Sequence, residues 1–252
     1  MVPRAGTCAP FEIVALSPAP NEVGVLPEVT PAATFSDFPD PDTVSLTTLT
    51  LLTGLFYHTG RYWVDLIDRR AFFQPSGPLT LGQGYTFAVL PGVRSLRGCV
   101  LGQPPLTIDG RQPTATYAMF EVVDPGVRLA PEPVVPPVTF AETLPIFEAH
   151  CSGGACHLAA GVPASDDASC SDAAAGALSL CARDAFAGLV AAPSIQVDRL
   201  VRVAPGDSAR SYLLRKLLGA PPLTGHVGSP SSALSRDDLL VFEHWIDAGA
   251  LP

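Results

Sequence analysis

Charge is scarce in this chain of 252 residues. Asp, Glu, Lys and Arg make up 15% of it, against about a quarter in an ordinary globular protein. Lys216 is the single lysine, and acid outnumbers base to a net charge of −9. No basic stripe exists, which excludes nucleic acid as a natural partner, and an anionic membrane surface would repel the chain. There is no run of about 18 apolar residues, so no helix is expected to span a membrane. Hydrolase signatures are missing too: the chain contains no G-x-S-x-G element, no H-E-x-x-H and no phosphate-binding loop. Methionine is confined to Met1 and Met119, so residues 158–252 hold no thioether. The opening Met1-Val2-Pro3-Arg4 lacks the apolar stretch of a secretory leader.

What is present is turn-rich and apolar. Pro 27 and Gly 22 accompany a hydrophobic fraction of 47%, a composition that folds rather than stays disordered. The length suits two ordinary domains. Pro131-Glu-Pro-Val-Val-Pro-Pro137 packs four prolines into seven residues and reads as a stiff extended linker. It separates a first domain, 1–130, from a second, 138–252.

The first domain reads as short strands divided by turn clusters: 11–16, 31–36, 45–53, 60–66, 71–75, 85–90 and 115–122, with Leu46, Leu49 and Leu51 as candidate core residues. Strands at this spacing indicate an all-β sandwich. Leu16-Ser-Pro18, Pro31-Ala-Ala-Thr-Phe35-Ser36, Phe73-Gln-Pro75, Pro78-Leu79 and Gly84-Tyr-Thr-Phe87 follow the order seen in bacterial Ig-like domains. The resemblance spans residues 10–123. It implies a seven-stranded immunoglobulin-like sandwich used for spacing or adhesion, without catalysis. Met119 is expected to pack in the core or on the surface of its strand rather than to bind iron, and His58 to be exposed in a turn.

The second domain reads as four helices. Thr139 and Glu142 form a capping-box spacing at the first, though Pro145 admits a later start at Leu144. The second covers 184–190. Ser208 is expected to cap a third ended by Gly219, and Ser235 a fourth ended by Gly249.

The chemistry of this half centres on His150-Cys151-Ser-Gly-Gly-Ala-Cys156-His157. Two thiols followed at once by a histidine suit covalent haem attachment, in a widened C-x4-C-H form of the usual spacing. A disulfide, a zinc site and two unrelated thiols are the competing readings. The half also resembles bacterial class I cytochrome c domains. Pro145-Ile-Phe147 before the cysteines, Val203-Ala-Pro-Gly-Asp-Ser-Ala-Arg-Ser-Tyr-Leu213, and Leu234-Ser235 through Trp245-Ile-Asp-Ala-Gly-Ala250 match three family blocks in order over residues 140–251. The resemblance implies an all-α domain with one covalent haem c. Cys151 and Cys156 would carry the thioethers, and His157 would be the proximal iron ligand. The family's methionine ligand has no counterpart, and His226 stands about where it would be, with His244 and His150 as rivals and an open sixth position as the further option.

The implied function is one-electron transfer by an extracytoplasmic monohaem cytochrome with bis-His ligation, not an enzyme. Its redox partner would carry a basic docking face. Ligand binding or sensing at an open position, and a structural role through self-assembly that aligns haems, are the alternatives. Haem attachment outside the cytoplasm implies a periplasmic, surface or secreted protein whose leader is absent from this chain. The four remaining cysteines fall into Cys8–Cys99 and Cys170–Cys181, the pairing favoured in an oxidising compartment.

Overall fold

The computed structural model describes residues 8, 10–102, 116–123, 136–152, 157, 178–221 and 234–252. The chain divides into two compact units, Met1–Pro133 and Val134–Pro252.

Unit 1 contains β1 (Ile13–Ser17), β2 (Ala32–Phe35), β3 (Leu49–Thr53), β4 (Phe56–Tyr57), β5 (Gly60–Asp65), β6 (Arg70–Pro75), β7 (Gly84–Val89) and β8 (Thr116–Glu121). They form two four-stranded sheets in the orders β1-β2-β6-β5 and β4-β3-β7-β8, with every strand pair antiparallel. In immunoglobulin lettering these are A-B-E-D and C′-C-F-G. Among the described residues the sandwich therefore has eight strands, against the seven expected. The extra one is β4, whose two residues pair as Leu52↔Tyr57 and Thr53↔Phe56 across a two-residue loop. Gly54 takes the first loop position at φ +58, as the II′ kind of hairpin turn requires.

Period-two alternation sends one side of each strand inward. Ala33, Phe35, Val64, Ala71 and Phe73 from the first sheet are buried, as are Leu49, Leu51, Phe87, Val89, Ala118 and Phe120 from the second. Each such large side chain contributes roughly 1.5–3 kcal/mol. One sequence expectation is corrected here: Leu46 lies outside β3, in a turn, and is exposed. Met119 lies on the outer, exposed side of β8. Gly60 is required by a close approach: a Cβ there would run into the Gln74 carbonyl oxygen and come within 2.6 Å of the Phe73 ring.

At the corner before β7, the Tyr85 hydroxyl accepts the Thr80 N–H at 2.8 Å. The ring is buried and stacks on Phe120 at 5.9 Å. This is the tyrosine corner of immunoglobulin-like sandwiches, a tyrosine at the start of the F strand bonding back to the chain just upstream.

Unit 2 contains α1 (Phe140–His150), α2 (Ala182–Leu189), α3 (Tyr212–Leu218) and α4 (Arg236–Asp247). The early start of α1 is the one realised: the Glu142 carboxylate accepts from the Thr139 N–H at 2.6 Å and hydroxyl at 3.2 Å, and Pro145 is held inside the helix. The third helix is split. Asp207, not Ser208, caps a 3-10 turn at Ser208–Arg210, and α3 starts afresh after Ser211 and ends at Gly219. The unit is not purely helical either. Among the described residues, single bridges join Val190 to Val203, Pro193 to Val201 and Val201 to Ser211, because this Val- and Pro-bearing stretch has no helical period. The expected all-α cytochrome c-like domain is thus replaced by helices braced with short extended segments. Its core joins Phe140, Phe147, Phe242 and Trp245 to Leu180, Leu189, Val203 and Ile246, with Phe140 against Trp245 at 5.4 Å and Phe147 against Phe242 at 5.0 Å.

Candidate functional site

The cysteine–histidine segment begins where α1 ends. Cys151 is its C-cap, donating its N–H to the Phe147 carbonyl at 2.8 Å. The His157 N–H reaches the Cys151 carbonyl at 3.3 Å, and the Leu180 N–H reaches the His157 carbonyl at 3.1 Å. The His157 Nδ1 lies 3.0 Å from the Leu178 carbonyl oxygen. A carbonyl only accepts, so Nδ1 carries the proton. Both residues are half-buried. Cys156, His226 and Cys170 lie outside the described residues. Cys181 is disulfide-bonded and caps α2; its partner also lies outside them. His150 sits at 3.8 Å from Asp238, and His244 is exposed on α4. The Ser235 hydroxyl and N–H, bonded to the Asp238 carboxylate at 2.7 and 3.0 Å, hold that group below the usual carboxylate range, and His150 adds to the effect.

The downstream blocks have structural employment. The Gly206 N–H donates to the Ile246 carbonyl at 2.7 Å. Asp207 accepts the Arg210 N–H at 3.0 Å. Ser208 donates its N–H at 2.9 Å and its hydroxyl at 3.2 Å to the Asp247 carboxylate. The Ser211 hydroxyl donates to the Asp207 carbonyl and accepts the Ala204 N–H. The Trp245 Nε1–H closes on the Leu251 carbonyl at 2.8 Å, which also takes the Phe140 N–H. These residues fasten α3, α4 and the start of α1 to one another.

Unit 1 carries a different candidate at the β3–β4 hairpin. Leu55, Phe56 and Tyr57 are 91%, 80% and 60% exposed. Side chains of this size are ordinarily covered when they fall side by side. Residues 43–60 contain no Asp, Glu, Lys or Arg. The hairpin is anchored behind its tip by His58, which is half-buried rather than exposed as expected. Its N–H donates to the Leu51 carbonyl at 2.9 Å, its Nε2 lies 2.9 Å from the Thr53 hydroxyl, and its ring packs at 5.3 Å on Tyr85. The Thr–Leu richness of 45–53 points to core strands; the sequence signal of the exposed tip is the uncharged stretch closed by a Gly-led turn.

The outer face of the first sheet holds an Arg–aromatic stack. Trp63 and Phe72, paired across β5 and β6, lie ring on ring at 4.9 Å and 5°. The Arg61 and Arg70 guanidiniums cover the two ends at 5.9 and 4.7 Å. With its ring faces occupied in this way, the stack is a brace for the sheet rather than an open platform.

The Cys8–Cys99 bridge is formed, with a Cα–Cα distance of 5.5 Å, and structural disulfides of this kind persist in oxidising compartments. Among the described residues no helix is long and apolar enough to cross a membrane.

No family model matches the chain, and no curated protein does. Solved structures similar to it include the surface-layer protein rSbsC(31-844), at TM-score 0.32 and 12% identity over 46% of this chain and 14% of that one. CopC from Methylosinus trichosporium OB3b is similar at 0.33 and 14%, over 45% of this chain and 93% of that one. Native alpha-2-macroglobulin from Escherichia coli, domains MG0-NIE-MG1, is similar at 0.33 and 14%, over 48% and 33%. The chain spans about a seventh of the surface-layer protein's length. The expected membership of the bacterial class I cytochrome c family is corrected: no family model matches the chain. The single covalent haem c is corrected with it. Among the described residues no group of three or more His, Cys, Asp or Glu could hold a metal, and the matching blocks are accounted for by the fastening bonds above.

Proposed function

We propose that this chain is an extracytoplasmic interaction protein without catalytic activity of its own, whose Ig-like unit docks through the β3–β4 hairpin. The observation that carries the reading is the Leu55-Phe56-Tyr57 tip, three consecutive large side chains that are all exposed. Half-burying three such side chains against a partner contributes on the order of 4 kcal/mol, about a thousandfold in affinity. The Cys8–Cys99 bridge supports the compartment.

The test fractionates the cells that make the protein, with the wild-type chain and a Leu55→Ser/Phe56→Ser/Tyr57→Ser variant, and traps thiols at lysis. The wild type is expected outside the cytoplasm, with Cys8 and Cys99 oxidised and the chain retained on the envelope. The variant is expected to wash off. Reduced Cys8 and Cys99 in a cytoplasmic pool would refute the compartment. Equal retention of the two proteins would refute the docking role.

A further inference from the structure

We propose that the surface met by the hairpin tip is the headgroup–acyl boundary of an electrically neutral lipid bilayer; this rests on the docking role of the same tip. Four features of the hairpin favour lipid over a second protein surface. The apolar residues stand at the end of a two-residue turn, with Thr53↔Phe56 paired directly behind it. Such a tip is convex and needs no matching pocket. Its loop leaves little backbone to be stripped of water, the main penalty for irregular chain in lipid. The neighbouring side-chain polar groups are already occupied, Thr53 Oγ1 and His58 Nε2 being 2.9 Å apart, so insertion would not orphan them. Residues 43–60 carry no charged side chain, and a charge near the tip is what most strongly opposes entry into the interface.

The composition of the tip sorts by depth. Leu55 and Phe56 are wholly apolar, whereas Tyr57 keeps a hydroxyl for the headgroup level, where tyrosine is enriched. Interfacial binding usually draws on basic residues and anionic lipid. This chain has a net charge of −9, which would repel such a surface, so the tip must act through apolar area alone. That sets a distinctive lipid preference: neutral lipid above anionic lipid, with the difference shrinking as salt screens the repulsion.

The full chain is mixed with sucrose-loaded vesicles of phosphatidylcholine, or of phosphatidylcholine with phosphatidylglycerol, and sedimented at low and high salt. The expected result is partition onto phosphatidylcholine, weaker partition onto the mixed vesicles at low salt, and a loss of tenfold or more in the Leu55→Ser/Phe56→Ser/Tyr57→Ser variant. Should that variant unfold, Leu55→Ser alone carries the comparison, with a several-fold loss expected. No sedimentation with phosphatidylcholine, equal partition of the variant, or binding only to the anionic mixture overturns the inference. Concentration-dependent dimerisation that the variant abolishes, without vesicle binding, also overturns it while leaving the docking role in place. Envelope retention that survives the tip substitutions defeats the docking role itself.

Discussion

Breaking the Cys8–Cys99 bridge is expected to remove about 4.6 kcal/mol from unit 1. The two cysteines are 91 residues apart. Closing a loop of that length in the unfolded chain costs, on the chain-entropy account, about 15.6 cal/mol/K, or the quoted figure at 25 °C. The bridge holds the segment leading into β1 against residues 99–102, where Phe11 bridges Leu101 and the Gly102 N–H donates to the Phe11 carbonyl at 2.8 Å. Phe11 is buried and stacks at 5.2 Å on Phe35, so the tie ends in the core rather than in a loose arm. The perturbation is Cys8→Ser with Cys99→Ala; alanine is chosen at the second site because Cys99 is buried and a hydroxyl there would need a new partner. Each unit has one tryptophan, Trp63 and Trp245, and only the Trp63 component of a guanidinium titration should move. At a slope of roughly 4 kcal/mol/M the midpoint falls by about 1 M, and the melting temperature of unit 1 by roughly 15 °C. A loss below about 1 kcal/mol would refute the reasoning. It would mean that residues 8–11 unhook while the rest of the sandwich stays folded, so that the bridge closes no loop the folding transition depends on.

Two further expectations concern side-chain contacts. A double-mutant cycle of Trp63→Ala and Phe72→Ala should show a coupling of about 1 kcal/mol, with Arg70→Ala alone costing about 0.5–1 kcal/mol of cation–π contact; urea titration measures all of these, and a coupling within about 0.3 kcal/mol of zero would remove the stack as a brace. In unit 2, the folded Asp238 carboxyl ionises at lower pH than an unfolded one. Its stabilisation is therefore complete above the unfolded value of about 3.9 and lost as pH falls from there through the folded value. Asp238→Asn should flatten that part of the acid limb in a pH series of Trp245-monitored melts; an unchanged slope would show that the Ser235 bonds do not stabilise the start of α4.

The legible part of the fold was the part written in short-range chemistry. Alternation placed the cores of β6 and β7, turn clusters divided the strands, and Ser235 and Thr139 marked helix starts through side chains that bond three residues away. Longer-range tasks were hidden. Nothing local in Tyr85 reveals that its hydroxyl bonds Thr80, and nothing in Asp247 reveals that it accepts from Ser208. Leu46 and Leu49 look alike in sequence, yet one lies in a turn and the other in the core, because alternation fixes a face only once strand pairing has begun. The same limit explains the family resemblance. A Pro-Gly-Asp turn, a serine cap and a tryptophan near a helix end serve any unit whose helices must be fastened at those points, so agreement in such residues reports a packing solution before it reports a cofactor.

The Tyr85 corner has a mechanical side. A projecting hairpin that takes hold of something is a lever, and a lever needs a fixed bearing. His58 sits at the root of the projection and leans on the Tyr85 ring, which is held by Thr80 on one side and by Phe120 on the other. A pull on the tip is passed through these contacts into β7 and β8, two neighbouring strands of the sheet, instead of peeling β4 from its edge. The two-residue strand can bear load because the residue that follows it packs on a ring that is itself held on two sides.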